Sequence, residues 1–346
     1  MRPDPRSMVN TKTWVARLFC ASPPQTCLFR VDAGNRKGLS FGHLSRCMIL
    51  SKILKDLFCT ESIFLMKDIS EGVLHARRKG CHVAFFPEQA GPEQEMKALF
   101  DLADQITPDL FIMDLPNTRL DTRIFDQIKK RSIRSICIDD FRFKNPGADI
   151  VFNSSILAPV KFKKGRPSDN QTLFLGPGYF IFDDNLLGDK IIFDKNLKNI
   201  VISFGGSDPT NLTFKVTEQL VSLAFKNTCF HIVTGPGYKN SQALCTLICE
   251  QGKNFKIIKN PDNIIPYFEA ADYVICAGGR TMYELLYLQK DFIPIGSTLI
   301  EADAIEAFMQ KKMVRFGLAA WNADQFKSKI VKAFSRNLLQ LSDNSP

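Results

Sequence analysis

The sequence predicts an α/β protein built from two doubly wound, largely parallel sheets. Three observations carry that expectation. Short apolar runs alternate with amphipathic runs of about 10–16 residues along nearly the whole chain, the pattern of strands joined by crossover helices. The alternation stops once, at the polar stretch DDNLLGDKIIFDKNLKN over 183–199, and then resumes. Several apolar runs end in glycine turns: GLSFGH over 38–43, SFGG over 203–206 and CAGG over 276–279.

In the first half, CLFRVD (27–32) reads as a strand. The helix after it, 43–58, has Leu44, Cys47, Met48, Leu50, Ile53, Leu54 and Leu57 at helical spacing. Residues 61–67 read as a strand, 69–79 as a helix and HVAFF as a third strand. Residues 92–106 form an amphipathic pattern, and DLFIMD (109–114) reads as a buried strand ended by Pro116. A helix over 119–131, a strand SICIDD over 135–140, and strands within 149–153 and 172–180 complete this half. In the second half, NIVISFGG, CFHIVTG, FKIIK, DYVICAGG and DFIPIGS read as strands. The runs NLTFKVTEQLVSLAF, SQALCTLICEQG, IIPYFEAA, TMYELLYLQ and EADAIEAFMQKK read as the helices that follow them, with a last helix near 322–338. The expected division is a leader without fold-specific structure over 1–27, a first domain over 28–182, a linker over 183–199, a second domain over 200–340 and a tail over 341–346. A cleft between the strand ends of the two domains is expected to hold the ligand.

Composition narrows the functional classes. With 45% hydrophobic and 23% charged residues, the 346-residue chain has the balance of an ordinary globular protein. It has no apolar run long enough to span a bilayer, so no stable membrane insertion is expected. The net charge of +9 suits anionic small ligands. Lysines and arginines are scattered, with short clusters such as Lys161, Lys163, Lys164 and Arg166, and no aromatic-basic module or recognition-helix pattern appears, so nucleic acid is not an expected partner. The ten cysteines include no CxxC pair. Cys245 and Cys249 lie at helical spacing and Cys137 and Cys276 inside strand-like runs, which fits reduced thiols in a cytoplasmic protein better than a disulfide framework or a metal site. The first 27 residues contain only WVARLF between proline-rich flanks, too short for the core of a signal peptide; Met8 is a second possible start.

Three segments carry chemistry. His43 follows Gly42 at the start of a helix, where a neutral imidazole is a usable base; packing or capping is the plainer role for it. In SFGGSDPTN (203–211), Gly205 and Gly206 let the backbone approach a ligand, and amides at the next helix start favour phosphate. In CAGGRTMYELLYL (276–288), Gly278 and Gly279 repeat that logic. Thr281 could cap the helix or touch phosphate. Glu284 could accept from a ribose diol or simply favour the helix dipole. Asp32 ends the first strand and could orient groups in the cleft. Asp139 and Asp140 are adjacent on a strand, so at most one would face it. His75 is read as facing solvent or a helix groove, and His82 and His231 as structural. The chain lacks a P-loop and a well-placed dinucleotide fingerprint.

FRVDAG, GLSFGHLSRC, CIDDF, ADIVFN, FLGPGY, ISFGGSDPTNLTFKV, VTGPGY and ADYVICAGGRTMYELLYL occur in this order across most of residues 28–320. Together they resemble the PseG/SpsG family, the UDP-sugar hydrolases of pseudaminic acid biosynthesis and their spore-coat polysaccharide relatives. The resemblance implies a GT-B architecture, two Rossmann-like domains facing a central cleft, similar to the glycosyltransferase that makes lipid II but with water as acceptor. It implies His43 as the base, Asp32 as the acid ending strand one, and Arg46 one turn after the histidine. It also implies Gly205, Gly206 and Asp208 as the first donor turn, Gly278, Gly279 and Thr281 as the second, and Glu284 at the ribose. The implied reaction is inverting attack of water at the anomeric carbon of a UDP-linked 2,4-diacetamido-2,4,6-trideoxy sugar, with no cofactor and no metal. Three places depart from the family pattern. Ser40 stands where glycine is usual, Asp183 and Asn185 where relatives carry arginine and glutamate, and Glu301 and Asp303 where relatives have an Asn-Gln pair. These bear on the sugar recognised more than on the fold. A UDP-sugar glycosyltransferase and a degenerate nucleotide-sugar-binding protein remain the alternatives.

Overall fold

The first strand, β1 (Thr26–Val31), accounts for the layering around it. Its residues are buried on both faces, as in parallel sheets covered by helices. Cys27, Phe29 and Val31 share one core with Leu44, Cys47, Leu50 and Leu54 of helix α2 (Gly42–Phe58), while Leu28 joins a second core with Leu99 and Phe111. The computed structural model describes residues 10–339 apart from 35, 37, 38, 40, 116–120, 122, 139–146, 163–170, 183–189, 224 and 252–253. The expected roles of Ser40, Asp139, Asp140, Asp183 and Asn185 fall outside the described residues.

The chain divides into two units, Arg6–Asp184 and a second from Asn185 onward. The first contains α1 (Thr11–Phe19), β1, α2, β2 (Glu61–Lys67), α3 (Ser70–Arg78), β3 (His82–Phe86), α4 (Pro92–Ile106) and β4 (Leu110–Asp114). It continues through α5 (Arg123–Lys130), β5 (Arg134–Ile138), β6 (Ile150–Asn153), α6 (Ala158–Lys161) and β7 (Thr172–Leu175). Its strands form a seven-stranded parallel sheet in the order β3-β2-β1-β4-β5-β6-β7.

The second unit contains β8 (Lys198–Ser203), α7 (Leu212–Leu223), β9 (Thr228–Thr234), α8 (Ser241–Gln251), β10 (Phe255–Lys259) and α9 (Ile265–Ala270). β11 (Tyr273–Ala277), α10 (Arg280–Tyr287), β12 (Phe292–Ile295), α11 (Leu299–Gln310) and α12 (Ala323–Leu339) follow. Its five parallel strands run β10-β9-β8-β11-β12. Counted within the unit that order is 3-2-1-4-5, which the first sheet shares before adding two strands. In each sheet the order reverses beside the unit's first strand, where such folds bind ligands.

The N-terminal residues differ from the expected leader. Residues 11–19 form α1, whose Trp14, Val15 and Phe19 are buried in the first unit's core. Trp14 packs on Phe152 with ring centroids 4.4 Å apart, and the Arg134 guanidinium lies 5.1 Å over Phe19. The Thr11 hydroxyl accepts from the Phe182 amide at 2.9 Å. A short amphipathic run such as WVARLF is too weak a signal alone; its apolar face has meaning only beside partners far along the chain. Within the expected linker, Phe193 stacks on His231 of β9 at 3.7 Å, and β8 begins at Lys198. Among the described residues no helix is long and apolar enough to cross a membrane.

Candidate functional site

In the first unit the reversal lies between β1 and β4, where Val31 pairs with Asp114. The loop after β1 leads to α2, and the last residue of β4 is Asp114. His43, the second residue of α2, places Nδ1 2.7 Å from Asp114 Oδ1. One turn later Arg46 donates from Nη2 to Oδ1 at 2.7 Å and from Nε to Oδ2. The Cys47 thiol also approaches Oδ2, at 3.8 Å. Residues 43, 46 and 47 meet one carboxylate because positions three and four apart share a helix face. Asp114 is fully buried, and the His43 side chain keeps 14% exposure. Burial pushes the Asp114 carboxyl up, but Arg46 and His43 together outweigh it and hold the group below the usual carboxylate range. An ionised Asp114 only accepts hydrogen bonds, so it holds the proton of a neutral His43 on Nδ1 and leaves Nε2 as an acceptor.

Sequence reading missed Asp114. The available signal was an acid closing a fully apolar strand run; what it lacked was the pairing of β1 with β4. Asp32 does not join His43. Both its oxygens are engaged by Arg30, at 2.7 and 2.9 Å, and Oδ1 also accepts from the Lys67 amide at 2.7 Å. Arg30 reaches Glu95 as well, at 2.8 Å, and lies 4.9 Å over the Phe86 ring. Residues 30 and 32 share the face of β1 opposite α2, so Asp32 belongs to a buried ion network that ties β1 to β2 and α4. Asp114, not Asp32, is the carboxylate that contacts His43.

In the second unit the reversal lies between β8 and β11, where Ser203 pairs with Cys276. Both glycine turns therefore leave neighbouring strands at the same sheet edge. Gly205 has φ of +81°, which glycine adopts without the penalty a side chain would bring. Gly205 and Gly206 are exposed, and Gly206 O accepts from the Gly237 amide at 2.8 Å. Asp208 faces the helix that follows. Its carboxylate accepts from the Leu212 amide at 2.9 Å and the Thr213 amide at 2.7 Å, closing the start of α7. The amides expected to receive phosphate there are occupied by a side chain of the chain itself.

The second turn is different. The residue before α10 is Gly279, which has no side chain to close the helix start. Thr281 is the second residue of α10 and is not its cap. A side chain at Gly278 would meet Ile305 Cδ1 at 2.8 Å and Glu301 Cβ at 2.9 Å, so the turn sits tightly on α11. Glu284 receives Arg280 Nε on Oε1 at 2.9 Å, which holds its carboxylate over the first turn of the helix. Glu301 takes the amide and hydroxyl of Ser297 on Oε2, at 2.7 and 2.6 Å. Among the described residues no group of three or more His, Cys, Asp or Glu side chains is arranged to hold a metal.

Residues 200–298 match the glycosyltransferase family 28 C-terminal domain. The chain is 29% identical over 289 residues to the uncharacterised protein MJ1062 of Methanocaldococcus jannaschii, covering 79% of this chain and 56% of that protein. It thus spans little more than half the length of that relative. It is 26% identical over 263 residues to the spore coat polysaccharide biosynthesis protein SpsG of Bacillus subtilis, covering 74% of this chain and 72% of that one. Among solved structures, MurG of Acinetobacter baumannii superposes with a TM-score of 0.62 at 11% identity, covering 90% of this chain and 92% of that one. The chain has the GT-B fold. A second GT-B likeness is the UDP-GlcNAc 2-epimerase of Neisseria meningitidis bound to UDP-GlcNAc, with a TM-score of 0.54 at 13% identity over 89% of this chain and 100% of that one. The likeness to the glycosyltransferase family 28 C-terminal domain covers residues 200–298 of this GT-B scaffold. The two glycine turns lie at the strand ends of its matched domain.

Proposed function

We propose that the chain is a nucleotide-sugar hydrolase of surface-glycan biosynthesis. It releases UDP from a UDP-linked 2,4-diacetamido-2,4,6-trideoxyhexose. The observation that carries this reading is the 2.7 Å contact of His43 Nδ1 with buried, ionised Asp114, the arrangement that prepares Nε2 to take a proton. In the proposed step, water oxygen attacks the anomeric carbon while its proton passes to His43 Nε2. The bond from that carbon to the diphosphate oxygen breaks, and UDP leaves with the electron pair. The Gly278 amide is given to the Ile295 carbonyl at 3.1 Å, so the Gly279 amide and the helix start after it, with Arg280, stabilise the charge that develops on the leaving group. The glutamate at 284 accepts from the ribose. The likeness to SpsG, named for spore coat polysaccharide biosynthesis, and to an epimerase bound to UDP-GlcNAc supports the substrate class.

The match to a glycosyltransferase domain model favours one second reading, transfer of the same sugar to a hydroxyl acceptor. An NMR time course with UDP-2,4-diacetamido-2,4,6-trideoxy-β-L-altrose and no acceptor separates the two. Equal release of UDP and free sugar, lost by about 100-fold or more in His43→Ala, is the expected result. An intact donor that is consumed only when an acceptor is added would establish the transferase. Full turnover in His43→Ala would end the role given to the histidine.

A further inference from the structure

Ala33, Gly34, Arg36 and Phe41, described residues before His43, meet α3 and the residue before it. Residues 69, 72 and 75, spaced three apart, each meet one of them, and Glu71 adds an ion pair. A Cβ at Gly34 would lie 2.5 Å from Ile69 Cγ2. A Cβ at Gly72 would lie 2.1 Å from the Ala33 carbonyl oxygen, so only glycine lets α3 come this close to the end of β1. Glu71 reaches Arg36 at 3.4 Å, and Arg36 also pairs with Glu88 at 2.9 Å. The His75 ring meets the edge of Phe41 at 5.3 Å and 65°. Phe41 is the residue just before α2, and its carbonyl accepts the helix's first hydrogen bond, from the Ser45 amide at 2.9 Å. The start of α2, whose His43 ring is held by Asp114, is therefore also braced by contacts with a helix that carries none of the groups given a chemical role.

We infer that α3 is the platform that aims His43, with Gly72 and His75 as positioning residues. The inference rests on His43 being the base. Exposed ion pairs such as Arg36–Glu71 contribute little. The backbone contact at Gly72 and the ring contact at His75 carry the constraint. A displaced base lowers kcat and kcat/KM together, because it acts on the transition state and not on donor binding.

The test uses the full chain labelled at histidine. The sequence has four histidines, so the His43→Ala spectrum identifies the ring signals of His43. His75→Ala and Gly72→Ala are expected to move or broaden those signals, and His75→Phe, which keeps a ring against Phe41, to leave them in place. Where a UDP-sugar is turned over, His75→Ala and Gly72→Ala are expected to lower kcat about 10-fold to 100-fold. KM for the donor is expected to stay within about twofold, with His75→Phe restoring the rate. Thermal melting of each variant separates misfolding from misplacement. Unmoved His43 signals and unchanged turnover in folded His75→Ala and Gly72→Ala, with activity lost in His43→Ala, would overturn the platform role alone. Turnover that survives His43→Ala would overturn the base and this inference with it.

Discussion

A carboxylate with no solvent contact costs several kcal/mol unless charged donors surround it. Asp114 meets that requirement with Arg46 on both oxygens and His43 on one. Its lowered pKa makes the folded chain bind fewer protons than the unfolded one around the ordinary carboxylate range. The stabilisation is therefore complete above about pH 4 and fades as the pH falls through the folded value. Asp114→Asn removes the charge that Arg46 and His43 face. The expected cost is about 3–5 kcal/mol at neutral pH by urea unfolding, narrowing below about pH 4. If His43 is the base, the same variant lowers kcat about 100-fold or more, since the ring loses the acceptor that fixes its tautomer. An unchanged kcat in a folded variant would detach Asp114 from the chemistry. That His43 and Arg46 share the first turns of a helix was legible in the sequence, because a glycine, a histidine and a helical repeat lie within a few residues. Asp114 was not, because its partners are in another βα unit. For Asp32 the converse holds: its local position at a strand end suggested a role in the cleft, while Arg30, two residues away on the same face, takes its carboxylate.

At the level of elements, the alternation of apolar and amphipathic runs was enough to place the strands of both sheets, since parallel strands buried on both faces read as continuous apolar runs. Helix ends were less legible. Asp208 sits where a phosphate-binding loop would have a free turn, yet it caps α7. Asp208→Ala is expected to lower stability by about 1 kcal/mol with the affinity for UDP within about twofold, measured by thermal melting and calorimetric titration. A large loss of UDP affinity would return Asp208 to the ligand. His231 of β9 supplies a second element-scale prediction. Burial, with Lys256 adding to it, lowers its pKa from 6.5 to about 4, and the ring shares a hydrogen bond with Asn199 Oδ1 at 3.0 Å. The unfolded chain takes up this proton near pH 6.5 and the folded chain only near pH 4. Stability is thus full above that window and falls by up to about 3 kcal/mol as the pH drops through it. His231→Phe should flatten the melting temperature between those values; an equally steep loss in the variant would place the titrating group elsewhere.

At the scale of the whole molecule, each unit closes a core of its own: residues 14–181 supply the cores of the first, and residues 200–333 that of the second. Both glycine turns belong to the second. A ligand that binds only there stabilises that unit by an amount set by its concentration, about 2.7 kcal/mol at 100 times Kd. Amides that exchange only through opening of that unit should then slow by about 100-fold with UDP present, since each 1.4 kcal/mol is a factor of ten. Hydrogen exchange on the intact chain reads this strand by strand. The expected pattern is slowing in β8, β9 and β11, with β1, β4 and β5 unchanged. Slowing in both sheets would mean that the two cores open as one cooperative unit. No slowing at saturating UDP would take the nucleotide away from the glycine turns, and with it the leaving-group half of the proposed reaction, while leaving the His43–Asp114 pair to be explained by another substrate.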